Sequence, residues 1–155
     1  MLDLVWPAYL PVLHRLNTKI DCVDAERHWV YYHGAIPYTK LHTMFGEVDM
    51  DIWASSCETF EIILLEDMAS GLPLACSNKH SMHEIVGEAG VYFEPEQPED
   101  IARALRELIE SPPLRNELTQ ASYDRAQQYS WQRCSDETFG FLAALKQQQK
   151  RTIDV

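Results

Sequence analysis

The sequence predicts an α/β fold: a parallel sheet flanked by helices, followed by a helical C-terminal segment. Three observations carry that prediction. Short runs of strand-forming residues recur between residues 2 and 93. Segments with helical periodicity separate most of these runs. From Pro98 onward the pattern is helical, with no further strand run. Strands that alternate with helices pair in parallel, and a parallel sheet needs cover on both faces.

Residues 2–6 (Leu-Asp-Leu-Val-Trp) read as a short buried strand, and Pro7 and Pro11 mark the turn into a helix carrying Leu10, Leu13, Leu16 and Ile20. Residues 28–32 (His-Trp-Val-Tyr-Tyr) are rich in β-formers and stop at His33-Gly34. Pro37 suits a first helical turn, where its missing N–H costs nothing, and a helix follows through Leu41, Met44 and Phe45. Residues 50–54 (Met-Asp-Ile-Trp-Ala) form the third strand candidate. Ile62-Ile63-Leu64-Leu65 fits either a buried strand or a helix by periodicity alone. Its flanks favour helix, since Met68 and Ala69 continue it and Gly71 and Pro73 stop it. Leu74-Ala75-Cys76 reads as a strand, residues 77–83 as a polar loop, and Gly90-Val91-Tyr92-Phe93 as the last strand.

Ile101, Leu105, Leu108 and Ile109 share one face of an amphipathic helix. Ser111-Pro112-Pro113 breaks it, and Leu114, Leu118 and Ala121 begin another. Ser130 can cap a final helix whose Trp131, Cys134, Thr138, Phe141, Leu142 and Leu145 share a face, with Trp131, Phe141 and Leu145 expected to pack in the core. The polar stretch after Gln147 is expected to fray. With no internal repeat and no linker, residues 1–146 are expected to form one domain and residues 147–155 a tail.

The chain has 155 residues, enough for one domain with a proper core. Its net charge of -11 argues against a broad nucleic-acid surface, which needs clustered Lys and Arg. Cys22, Cys57, Cys76 and Cys134 stand far apart without a C-x-x-C pair, so they suit buried thiols in a reducing cytosol better than a metal framework. No apolar run approaches the roughly 20 residues of a membrane span. These features lead to the expectation of a cytoplasmic protein, at most peripheral at the inner membrane.

The richest segment for function runs from Ser55 to Pro73. It sets Glu58 before a short apolar helix and Glu66 inside it, and a Gly-Leu-Pro turn closes the helix. Backbone N–H groups at a helix start can hold an anion, and a carboxylate can bind vicinal hydroxyls, so the layout suits a phosphate and a ribose. In a parallel sheet the ligand lies beyond the C-terminal strand ends, which places residues 34–38, 55–60 and 77–83 along one edge. Read alone, Ser55-x-x-Glu58 is also a capping box, and Glu66 an exposed helical carboxylate. His80, His83 and Glu84 are polar loop residues on this reading, since no third metal ligand is evident. Lys79 is the nearest candidate for a phosphate cation, His33 faces the same edge or caps its strand, and the acidic residues of 84–100 are a solvated surface.

In order along the chain, Tyr32-His33-Gly34-Ala35-Ile36-Pro37-Tyr38, Ala54-Ser55-Ser56 before Glu58, Leu65-Glu66-Asp67-Met68-Ala69-Ser70-Gly71-Leu72-Pro73, Glu84-Ile85 with Gly90-Val91-Tyr92-Phe93, and Tyr129-Ser130-Trp131 together resemble one family. It is the C-terminal, Rossmann-like domain of glycosyltransferase family 4 (glycosyltransferase group 1), one half of a GT-B fold. The resemblance implies retaining transfer of a sugar from a nucleotide-diphosphate sugar to an acceptor, without a metal or other cofactor. It assigns Glu58 a catalytic place beside the transferred sugar and its departing phosphate, and gives Glu66 the donor ribose hydroxyls. It gives the backbone N–H groups of Phe60, Glu61 and Ile62 the diphosphate or sugar, and Ile36 and Tyr38 the wall beside the base.

Departures from the pattern are Glu61, where relatives often carry Gly or Asn, Asp67, where a small Ala is usual, and the run from Lys79 to His83. The resemblance also implies a missing first strand and helix, with their Arg and Lys, and a missing N-terminal domain. The expected partners are therefore a nucleotide sugar and a separately encoded N-terminal half, with no nucleic acid. The alternatives are a non-catalytic nucleotide-binding or interaction module, or a truncated remnant.

Overall fold

The computed structural model describes residues 1–79 and 81–153, and the side chains in that span other than those of 147 and 149–153. Its elements are β1 (Leu2–Leu4), α1 (Leu10–Val23), β2 (Val30–Tyr32), α2 (Tyr38–Phe45), β3 (Asp51–Trp53), α3 (Ile62–Ala69), β4 (Leu74–Ser77), α4 (Met82–Val86), β5 (Gly90–Phe93), α5 (Pro98–Glu110), α6 (Pro112–Ala126) and α7 (Trp131–Ile153). The α/β class and the parallel pairing are as the alternation predicts. The strands form two ladders, β1-β2 and β3-β4-β5, where the sequence suggested a single sheet. Correspondingly the chain divides into two compact units, Met1–Glu47 and Val48–Val155.

In the first unit β1 and β2 pair in parallel with Leu2 opposite Val30 and Leu4 opposite Tyr32. Ile20 and Val30 are its buried apolar residues. Asp24 caps the C-terminal end of α1 and accepts the backbone N–H groups of His28, Trp29 and Val30 at 2.8, 2.7 and 2.8 Å. Burial pushes its carboxyl up, but those three amides hold it below the usual carboxylate range. One side chain thus fixes the turn that feeds β2.

In the second unit β4 is the middle strand, and all four of its residues are buried. Alternation sends Leu74 and Cys76 to one face, where they meet Leu64 and Met68 of α3 and Met82, Ile85 and Val86 of α4. Ala75 points to the other face, with Val91, Phe93, Ala104, Leu108 and Leu118. Gly90 starts β5 at a close approach: a Cβ there would lie 2.9 Å from Val86 Cγ1 and 3.2 Å from the Leu74 carbonyl oxygen. Gly71, at φ +73°, closes α3 in a conformation that side-chain-bearing residues rarely adopt.

Four expectations are corrected. The polar loop at 77–83 is shorter than supposed, because Ser77 ends β4 and Met82, Ile85 and Val86 recur at helical spacing, burying one face of a single-turn helix. Trp131, Phe141, Leu142 and Leu145 of α7 are not core residues; they are 77%, 65%, 52% and 42% exposed. No other described element packs extensively on that helix, so its apolar stripe has nothing to be buried against. Its backbone stays helical through Ile153, past the point where fraying was expected. Of the four cysteines only Cys76 is buried; Cys22, Cys57 and Cys134 are exposed.

Candidate functional site

Parallel pairing brings the C-terminal ends of β3, β4 and β5 to one edge of their sheet. Residues 54–61, Asn78 with Lys79, and Glu94 leave the strands there. The segment singled out by the sequence is therefore the β3–α3 connection, with Glu58 on the loop and Glu66 in the second turn of α3.

The loop is shaped by its own polar groups. Ser55 Oγ donates to Glu58 Oε1 at 2.8 Å and lies 3.4 Å from the Cys57 amide nitrogen. The capping-box reading does not hold: the N-cap of α3 is Glu61, whose Oε1 accepts the Ile63 N–H at 3.4 Å. Glu58 thus lies outside the helix, three residues before the cap, with its carboxyl beside that of Glu61. Burial and the neighbouring Glu58 carboxylate push the Glu61 carboxyl up, against the Ile63 amide that pulls it down. Phe60 and Ile62 flank the cap with half-exposed side chains.

Glu66 is half-buried, whereas its neighbour Asp67 is only 2% exposed. Asp67 falls on the core face because it lies three residues after Leu64 and next to Met68, both fully buried. There its carboxyl faces that of Asp51 of β3. Asp51 Oδ2 and Asp67 Oδ1 are both enclosed with no donor among the described residues. Burial, then the charge of Asp51, pushes the Asp67 carboxyl up to about 9, and burial raises that of Asp51 as well. Two acceptors in contact away from water require a proton between them, so the pair is held as one carboxylate and one acid.

Lys79, the candidate phosphate cation, is held by Glu94 Oε2 at 2.6 Å. His83 lies on α4 rather than on a loop, stacked on the Tyr92 ring at 4.0 Å; His80 lies outside the described residues. Among the described residues no group of three His, Cys, Asp or Glu could hold a metal ion. The acidic stretch 84–100 is only partly solvated surface, since Asp100 accepts the Glu94 N–H at 2.8 Å and pairs with Arg103 at 2.6 Å. Ile36 and Tyr38 belong to the first unit, Ile36 in the approach to α2 and Tyr38 at its first position, 59% exposed. His33 there bonds Asp3 Oδ1 at 2.7 Å.

Sequence reasoning overlooked two features of the site. The Asp51–Asp67 pair was visible in principle, because Leu64, Asp67 and Met68 keep helical spacing and Asp51 alternates with Trp53. Contact between the rings of Phe60 and Tyr129, 6.3 Å apart, carries no local signal, since the two residues come from distant segments.

Residues 17–125 match the family described as glycosyl transferases group 1. Among curated relatives, the O-antigen chain mannosyltransferase B of Escherichia coli is 29% identical over 110 residues, covering 71% of this chain and 29% of that protein. The sulfoquinovosyl transferase SQD2 of Arabidopsis thaliana is 26% identical over 105 residues, covering 64% of this chain and 21% of that protein. Among solved structures, Anabaena Alr3699/HepE in complex with UDP and glucose superposes with a TM-score of 0.81 at 17% identity, covering 92% of this chain and 40% of that one. The C-terminal domain of the glycosyl transferase group 1 family protein LpcC from Francisella tularensis gives 0.67 at 24% identity, covering 77% of this chain and 62% of that one. This chain therefore spans less than a third of the length of those curated relatives, and the solved neighbours share its fold. With the family match extending over most of its residues, the chain belongs to the glycosyl transferases group 1 family.

Proposed function

We propose that this chain is the donor-binding domain of a retaining glycosyltransferase that takes a sugar from a nucleotide-diphosphate sugar. The observation that carries the reading is the placement of Glu58 and Glu66 on either side of the α3 start, at the C-terminal edge of a parallel sheet, in a chain of this family. In this reading Glu66 accepts hydrogen bonds from the ribose hydroxyls, and Glu58 sits beside the transferred sugar and its phosphate. The N–H groups of Phe60, Glu61 and Ile62 receive the diphosphate, where a helix start favours negative charge. No metal or other cofactor takes part. The protein works in the cytosol, at most peripheral at the inner membrane; no described helix is long and apolar enough to cross a membrane.

A second reading, a non-catalytic module, is favoured by the local charge. Glu61 already occupies the Ile63 amide and Lys79 is already paired with Glu94, so the site offers an incoming diphosphate less attraction than the family pattern implies.

Calorimetric titration with UDP, GDP and ADP separates the two. The donor reading expects base-selective binding that Glu66→Ala weakens by about 1–3 kcal/mol, the range for hydrogen bonds to a charged group. Binding that survives the substitution unchanged sinks the ribose assignment, and no binding by the folded chain favours the non-catalytic module.

A further inference from the structure

α4 is a single turn, so its last carbonyls have no following turn to receive. Distant residues supply the missing donors. Arg125 of α6 gives Nε–H to the Ile85 carbonyl at 3.0 Å and Nη2–H to the Glu84 carbonyl at 2.5 Å. Tyr129, in the bend between α6 and α7, directs its hydroxyl at the same two carbonyls, 3.1 Å from Glu84 O and 3.3 Å from Ile85 O. Arg125 Nη2 also donates to the Tyr129 hydroxyl oxygen at 3.2 Å, and its guanidinium lies 5.6 Å from the ring centre. The Tyr129 side chain is therefore tied at its tip and braced by a cation.

Its ring meets Phe60, tilted 57° at 6.3 Å between centroids. Phe60 directly precedes Glu61, the cap of α3, and stands two residues after Glu58. Phe60 is half exposed, so few other contacts fix it.

We infer that Tyr129 is a positioning residue for the loop that carries Glu58: its anchored ring is the ledge on which Phe60 sets the path of the chain into α3. This gives a task to Glu84-Ile85 and to Tyr129, singled out in the sequence without one. The consequence for nucleotide affinity rests on the donor-binding reading; the consequence for the loop rests on the contacts alone.

The test uses the full chain with Tyr129→Leu, Tyr129→Phe, Phe60→Leu and the Tyr129→Leu/Phe60→Leu double variant. Two quantities are measured, amide hydrogen exchange over residues 58–63 and affinity for UDP. Tyr129→Leu is expected to speed exchange of those amides, and to weaken UDP, by about three- to tenfold, the range one aromatic pair contributes. Amides of β4 and β5 keep their rates. Tyr129→Phe keeps the ring but removes the hydroxyl that anchors it, so it recovers only part of the loss. The double variant is expected to be little worse than either single one, because the two rings act as a pair.

Unchanged exchange at residues 58–63 in both Tyr129→Leu and Phe60→Leu overturns the inference. Additive losses, or faster exchange spread through β4 and β5, overturn it too. Phe60→Leu probes the contact without touching α4, so the test survives if Tyr129→Leu does not fold. The expected exchange pattern without UDP binding by the wild-type chain supports the positioning role and strikes the donor reading instead.

Discussion

α3 and α7 are both helices with an apolar stripe, yet they lie in opposite environments. α3 has 8 residues and buries Leu64, Met68 and even the carboxyl of Asp67 against β3 and β4. α7 has 23 residues, and its Trp131, Phe141, Leu142 and Leu145 stay exposed. An apolar stripe sets how a helix can be buried; whether it is buried depends on a facing surface. For α3 that surface is built by β4 together with α4 and α6, whereas α7 has no such face among the described residues.

The contrast can be broken most forcefully at Leu64. Leu64→Ala removes a fully buried side chain and should cost about 2–5 kcal/mol, read as a lower midpoint in urea unfolding. If it costs no more than a surface substitution, the packing of α3 described above is wrong.

Asp67 sharpens the comparison through pH. Its carboxyl is raised from 3.8 to about 9 in the folded chain, so the native state binds the proton more tightly than the unfolded one. The stability this contributes is fully present below the unfolded value of 3.8 and is lost as pH rises toward about 9. Asp24, Glu94 and Asp100, held below their usual values, act with the opposite sign: their contribution is present above the unfolded values and fades as pH falls. Asp67→Asn offers Asp51 an amide donor in place of a shared proton. It should stabilise the chain at pH 8 by about 1–3 kcal/mol, the cost of an unsatisfied buried polar group. Melting temperature measured from pH 5 to 9 should then fall less steeply than in the wild type; an equal slope removes the pair as its cause.

The smallest effect belongs to α7. Leu142→Ala should change stability by less than about 0.5 kcal/mol, as at an ordinary exposed site. A loss comparable with that at Leu64, seen in the same urea titration, would mean that α7 is covered in solution.

These outcomes bear on what could be read in advance. The strand runs, the helix through Met68 ended by Gly71 and Pro73, and the sequence placement of Glu58 and Glu66 depend on local chemistry: alternation, helical spacing and turn residues. The capping-box alternative at Ser55-x-x-Glu58 fails because the helix starts later, at Glu61, a residue type that local capping preferences do not single out. The Asp51–Asp67 pair, the capture of Lys79 by Glu94 and the ledge under Phe60 join residues from separate segments, and local pattern does not say which partners meet.

By itself the sequence determined the α/β class, the parallel pairing, most of the elements and the family, because each is written in short-range periodicity or in motifs whose order survives without coordinates. Only the tertiary structure decided that the strands fall into two ladders, that α7 keeps its stripe exposed and that Asp67 is buried against Asp51. Those depend on which surfaces come together and how much water they exclude, and burial is a property of neighbours rather than of a residue.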